Sequence, residues 1–140
     1  MYKKIRYILF TTWVVFILFS VLIPSSLIEK DISFFSFIPY FDKIVHGILF
    51  FGFAFLLIPI LRERYSLKKS IIINFIISIL FAILTEVFQF LSNKYTSRSF
   101  DIMDIASDII GILIANLTYI ILRKLLRKRE IKLINKIFFN

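Results

Sequence analysis

Residues 71–91 read IIINFIISILFAILTEVFQFL, twenty-one positions in which Glu86 is the only charge. A helix needs about 20 apolar residues to cross the hydrocarbon core of a bilayer, so this stretch is long enough to do so. Asn74, Ser78, Thr85 and Gln89 recur near helical spacing within it. They give an otherwise apolar helix one polar stripe, which lipid would not accept and which other helices must cover.

Three further blocks share this character, at 5–23, 44–61 and 102–122, the last carrying Asp104 and Asp108 near its start. Apolar residues make up 59% of the 140-residue chain, which has eighteen Phe, three Gly and three Pro. A soluble domain of this size has too little interior to hide that much apolar surface. Helices satisfy their own backbone polar groups in lipid, and strand-period alternation is absent, so a membrane barrel is disfavoured. The expected fold is all-α: an integral membrane bundle of four transmembrane helices forming one domain over 1–140, with a basic tail at 123–140. Lys3, Lys4 and Arg6 precede the first block as in a signal peptide, but the apolar run is long and no small-residue cleavage site follows it. It reads as a retained helix.

Lys and Arg set the orientation. With the N-terminus inside, fourteen of the eighteen fall on the inner side, and Lys30, Lys43, Lys94 and Arg98 fall outside. That bias predicts cytoplasmic N- and C-termini and a multi-pass protein of the cytoplasmic membrane. The net charge of +9 sits at the ends of apolar blocks, the pattern of anchoring to anionic lipid rather than to nucleic acid. Residues 24–41, with the run Phe34-Phe35-Ser36-Phe37, are expected in the outer interface. The tail from Arg123 is expected to continue as a helix on the inner leaflet. No Cys is present, which removes disulfides and thiolate metal sites.

The acids are distributed the opposite way. Only Glu63 and Glu130 of nine fall inside. Asp42 and His46 share a face at the outer start of the second block. Glu86 and Gln89 lie near the outer end of the third, while Asp101, Asp104 and Asp108 form an i, i+3, i+7 stripe at the start of the fourth, continued by Gly111. At the rise of an α-helix, Glu86 and Asp108 lie roughly 8–10 Å below the outer boundary. Ionisable faces at that depth must turn toward each other or toward a wet cavity, which predicts a polar pocket opening outward. Its expected lining is Asp42, Lys43, His46, Glu86, Gln89, Arg98, Asp101, Asp104 and Asp108.

Each residue has a plain reading beside a chemical one. His46 hydrogen-bonds across helices or, paired with Asp42, acts as an acid–base group. Glu86 is protonated, paired with Arg98, Lys43 or His46, or bound to a cation; as a plain ion pair it clamps three helices together. His46, Glu86, Asp101 and Asp104 are the candidate catalytic groups. No zinc-type ligand spacing, nucleophile elbow or phosphate loop occurs, so neither a metal nor a cofactor is expected.

Asp42-Lys43-Ile44-Val45-His46, then Glu86-Val87-Phe88-Gln89, then Arg98-Ser99-Phe100-Asp101-Ile102-Met103-Asp104 resemble, in order and spacing, the VanZ-like family of small bacterial membrane proteins. The similarity runs from about Asp42 to Gly111. The family's pattern has Asn where this chain has Asp108. The resemblance implies a cell-envelope role and low-level resistance to teicoplanin, a lipoglycopeptide. The partners it suggests are membrane lipids and a lipid-linked cell-wall component or the lipoglycopeptide itself. The alternative is a membrane-embedded enzyme acting on a lipid-linked or phosphorylated substrate through His46 and the nearby carboxylates.

Overall fold

The computed structural model describes residues 2–22, 40–92, 101–128 and 137–138. Its described secondary structure is helical: α1 (Tyr2–Leu22), α2 (Phe41–Leu61), α3 (Leu67–Leu91) and α4 (Ile102–Lys128), with no strand among the described residues. Three of the helices, α2, α3 and the Ile102–Leu126 part of α4, are long and apolar enough to cross a membrane.

The helices overrun the apolar blocks. α2 starts at Phe41 and includes Asp42 and Lys43, and α4 runs on through Arg123 to Lys128. Backbone helicity is not bounded by hydropathy, because Lys and Arg are good helix formers and ionisable side chains at the ends reach water. The helical reading of the tail thus holds to Lys128. Its continuation over 129–136 and the interfacial reading of 24–39 lie outside the described residues.

α2 and α3 are joined by a short turn that makes them antiparallel. Arg62 N–H bonds the Ile58 carbonyl at 2.9 Å and Tyr65 N–H bonds that of Leu61 at 3.0 Å. Ser66 then caps α3, its hydroxyl accepting from Lys69 N–H at 3.4 Å.

Burial is inverted relative to a soluble bundle. The covered stripe of α3 is Ser70, Asn74, Ser78, Ala82, Thr85, Glu86 and Gln89, while Ile72, Ile76, Leu80, Leu84 and Leu91 face outward. An exposed apolar surface of this extent requires lipid, and only the polar stripe needs protein around it. The apolar core is centred on α2, where Phe53 stacks on Phe81 of α3 with ring centroids 4.6 Å apart and meets Phe10 of α1 at 5.2 Å. Trp13 lies over Gly52, donating its indole N–H to the Leu49 carbonyl at 2.9 Å. A Cβ at Gly52 would run into the indole ring, so glycine is what lets α1 close on α2.

The closest helix pair is α2 and α4. Gly111 sits against the backbone of Gly47, where an added Cβ would lie 2.9 Å from the Gly47 carbonyl carbon and 3.1 Å from its Cα. The missing side chain of Gly111 therefore sets the distance at which everything on these faces meets. At the end of the bundle that holds the α2–α3 turn, buried Arg6 bonds Glu63 at 3.4 Å and the Pro59 carbonyl at 3.5 Å. Its guanidinium also donates to the Ile137 carbonyl, and Lys3 joins Glu63 at 2.8 Å. Tyr119 donates to the Phe138 carbonyl at 2.6 Å, so two residues of the C-terminal segment are docked on this end.

Candidate functional site

At the opposite end, the first turns of α2, the last turns of α3 and the start of α4 bring seven ionisable side chains together. Lys43 reaches from α2 to three carboxylates: Asp42 at 3.0 Å, Asp104 at 2.5 Å, and Asp101. One turn deeper, His46 lies between two acids of α4. Its Nδ1 is 3.1 Å from Asp108 Oδ1 and its Nε2 is 3.8 Å from Asp104 Oδ2. Glu86 of α3 accepts the backbone N–H of Asp101 at 2.5 Å. Asp101 in turn caps α4, its carboxylate accepting from Met103 N–H at 2.8 Å.

The close approach of Gly47 to Gly111 explains why these groups meet. His46 immediately precedes Gly47, and Asp108 lies three residues before Gly111, on the same stripe. With no side chain between the helices, the imidazole bridges directly to the carboxylate. Burial then grades the cluster from rim to floor. The Asp42 side chain is 66% exposed and that of Asp101 39%, whereas Glu86, Gln89 and Asp108 are 1–2% exposed. Asp101 lies ahead of α4, and the neighbouring Lys43 ammonium, helped by Met103 N–H, holds its carboxyl below the usual 3.8.

One expectation is corrected by this geometry. His46 takes its acid partners from α4, Asp108 and Asp104, and not from Asp42, which points to the rim and pairs with Lys43. Sharing a helix face at i, i+4 leaves two side chains free to face different neighbours, and the helix packed opposite decides. Glu86 accepts a backbone N–H at the α4 cap and so ties α3 to α4. Arg98 lies outside the described residues. Gln89 is buried one turn beyond Glu86. Among the described residues no group of three or more His, Asp or Glu is disposed to hold a metal ion.

The model of the family described as VanZ/LLP1 matches residues 4–123. The chain belongs to the VanZ/LLP1 family. The match takes in most of α1, all of α2 and α3, most of α4 and every residue of the cluster, well beyond the stretch from Asp42 to Gly111 that carries the motifs. Neither the curated proteins nor the solved structures contain a match to it. With its apolar helices, this is a VanZ-like membrane protein.

Within this VanZ/LLP1 chain the cluster has two chemical capacities. Five carboxylates against Lys43 and His46 leave the site anionic when the acids are ionised, a composition that attracts cationic or hydrogen-bond-donating groups. An imidazole held between two carboxylates is also oriented to pass a proton from one nitrogen to the other. Three structural features had little sequence signal: Gly47 opposite Gly111, Trp13 over Gly52, and Asn116, whose Oδ1 accepts from buried Asn74 Nδ2 at 2.9 Å. Asn116 does lie eight residues beyond Asp108, on the same stripe of α4. That spacing was its one available clue.

Proposed function

We propose that this VanZ/LLP1 protein crosses the cytoplasmic membrane four times with both ends inside, and that its carboxylate–His46 cluster lines a pocket open to the outer leaflet. The pocket engages an acylated or lipid-linked envelope component, and tolerance to a lipoglycopeptide such as teicoplanin is the resulting phenotype. Fourteen of eighteen Lys and Arg on one side support the orientation. α1 serves as the fourth span, its Lys3, Lys4 and Arg6 at the inner surface and its outward side carrying Ile8, Val15, Phe16 and Phe19.

One observation carries the site: Glu86, Asp108 and His46, from three helices, are buried together at the end assigned to the outer leaflet. Ionisable groups are costly at such a depth and are kept there for function more often than for packing. A membrane-anchored acyl chain brings a lipoglycopeptide within reach of such a pocket, whereas a fully soluble glycopeptide meets it rarely.

The test is expression in a susceptible Gram-positive host, with tolerance to teicoplanin compared with tolerance to vancomycin. Teicoplanin tolerance should rise more, and Glu86→Gln should abolish the rise at equal protein level. Asp108→Asn should keep it, since an amide still hydrogen-bonds His46 and the family pattern has Asn there. Equal tolerance to both drugs, or none to either, would contradict the proposal. The bracketing of His46 by Asp108 and Asp104 favours a second reading, an enzyme acting on a lipid-linked or phosphorylated substrate with His46 as acid–base group. In that case His46→Gln would remove function while the protein accumulates normally.

A further inference from the structure

The polar stripe of α3 does not stop at the cluster. It continues toward the α2–α3 turn through Ser78, Asn74 and Ser70, each fully buried in the interior of the bundle. The Ser70 hydroxyl donates to the Tyr65 carbonyl in that turn at 3.4 Å. Along this seam three buried polar atoms have no hydrogen-bond partner among the described residues: Asn74 Oδ1, Ser78 Oγ and Asp108 Oδ2. Orphaned polar atoms in an apolar interior are costly, and buried water is their usual partner.

Their spacing fits water. Asn74 and Ser78 are one turn apart, about 6 Å of rise. That is about two hydrogen-bond lengths, the span that one bridging water covers. The contacts of Asn74 with Asn116 and of Glu86 with Asp101 set the antiparallel register of α3 against α4. That register places Asp108 within a turn of Ser78 on the side toward the cluster. The buried residues beside it, Ala82 and Ala115, carry only methyl groups.

We propose that water bridges Asn74, Ser78 and Asp108, and that the α3–α4 seam conducts protons between the α2–α3 turn and the His46 cluster. Water delivers a proton to Asp108 Oδ2, and rotation of the carboxyl group brings that O–H to His46 Nδ1, which it protonates. The imidazolium releases the proton on Nε2 to Asp104, which returns it to solvent at the rim. Each transfer breaks one O–H or N–H bond and forms another, so one proton enters and one leaves with no redox change. Transfer of the remaining Nδ1 proton to Nε2 through cluster water restores the starting tautomer. The seam is independent of any envelope ligand, so failure of the drug-tolerance test leaves this inference standing.

The full chain, reconstituted in anionic phospholipid vesicles loaded with a pH-sensitive dye, is driven by a potassium diffusion potential. Proton flux should exceed that of protein-free vesicles several-fold. Asp108→Asn and Ser78→Leu should each cut it several-fold, and the outward-facing Leu80→Ala should leave it unchanged. Ser78→Ala, which adds no bulk, and the thermal melt of each variant separate a blocked seam from a misfolded bundle. Flux no greater than in protein-free vesicles would overturn the proposal. So would unaltered flux in a folded Ser78→Leu protein.

Discussion

Gly47 and Gly111 touch across the α2–α4 interface, yet alanine at the two positions should have opposite effects. At Gly111 the new methyl would lie 2.9 Å from the Gly47 carbonyl carbon and 3.1 Å from its Cα, both rigid backbone. The nearest atom is the Gly47 carbonyl oxygen, which the methyl would overlap, so relief to an ordinary contact of about 3.4–3.6 Å requires the helices to part by about 1 Å or more. The Nδ1–Oδ1 distance between His46 and Asp108, now 3.1 Å, would then pass beyond hydrogen-bond reach. Overpacking of this kind costs about 1–3 kcal/mol, against about 1 kcal/mol gained from the better helix propensity of alanine. The net expectation is a loss of up to about 2 kcal/mol together with a broken His46 contact. At Gly47 the new methyl meets only the Ser107 carbonyl oxygen at 3.4 Å, an ordinary contact. Gly47→Ala should therefore be neutral or stabilising by up to about 1 kcal/mol. Reversible unfolding in mixed micelles, followed by the fluorescence of the single tryptophan, Trp13, measures both. If Gly111→Ala exceeded wild-type stability, or were no less stable than Gly47→Ala, the helices would not approach as closely as described, and the origin assigned to the site geometry would fail.

Two further effects are measurable in the same assay. Asn74→Leu and Asn116→Leu each strand the partner amide in the interior and should each cost about 1–3 kcal/mol, while the double variant should recover part of the loss; additive losses would show that the pair is not coupled. The Lys43–Asp101 contact should contribute stability fully above the ordinary Asp pKa of 3.8 and lose it as pH falls through the lower folded-state value, because Lys43 depresses that value. Acidification from about pH 5 to about pH 3 should then destabilise the wild type more than Asp101→Asn, in which the amide keeps the α4 cap. Identical acid sensitivity would remove that contact from the account.

The polar stripe of α3 was legible because a few polar residues at one-turn intervals stand out in an apolar helix, and in lipid such a stripe has one direction to face. The i, i+3, i+7 acids of α4 were legible for the same reason. Partner choice between helices was not. Spacing places Asp42 and His46 on one side of α2, but the facing of each is set by what packs opposite, and Gly47 against Gly111 turned His46 toward α4. Arg6 and Glu63, 57 positions apart in sequence, and Trp13 over Gly52 depend likewise on how helices dock. Hydropathy marks the lipid boundary, whereas helix formation follows backbone hydrogen bonding, so α2 takes in Asp42 and Lys43 ahead of its apolar block and α4 runs on to Lys128, as expected for the tail.

The account stands on the carboxylate cluster facing the outer side of the membrane, and the absence of cysteine from the sequence makes that directly measurable. Single cysteines at exposed Asp42 and at Lys68, near the start of α3, would be challenged in intact cells with a membrane-impermeant maleimide. Asp42→Cys should be labelled from outside, and Lys68→Cys only after the cells are opened. Labelling of Lys68→Cys in intact cells with protection of Asp42→Cys would place the cluster at the inner face and contradict the outer-leaflet site.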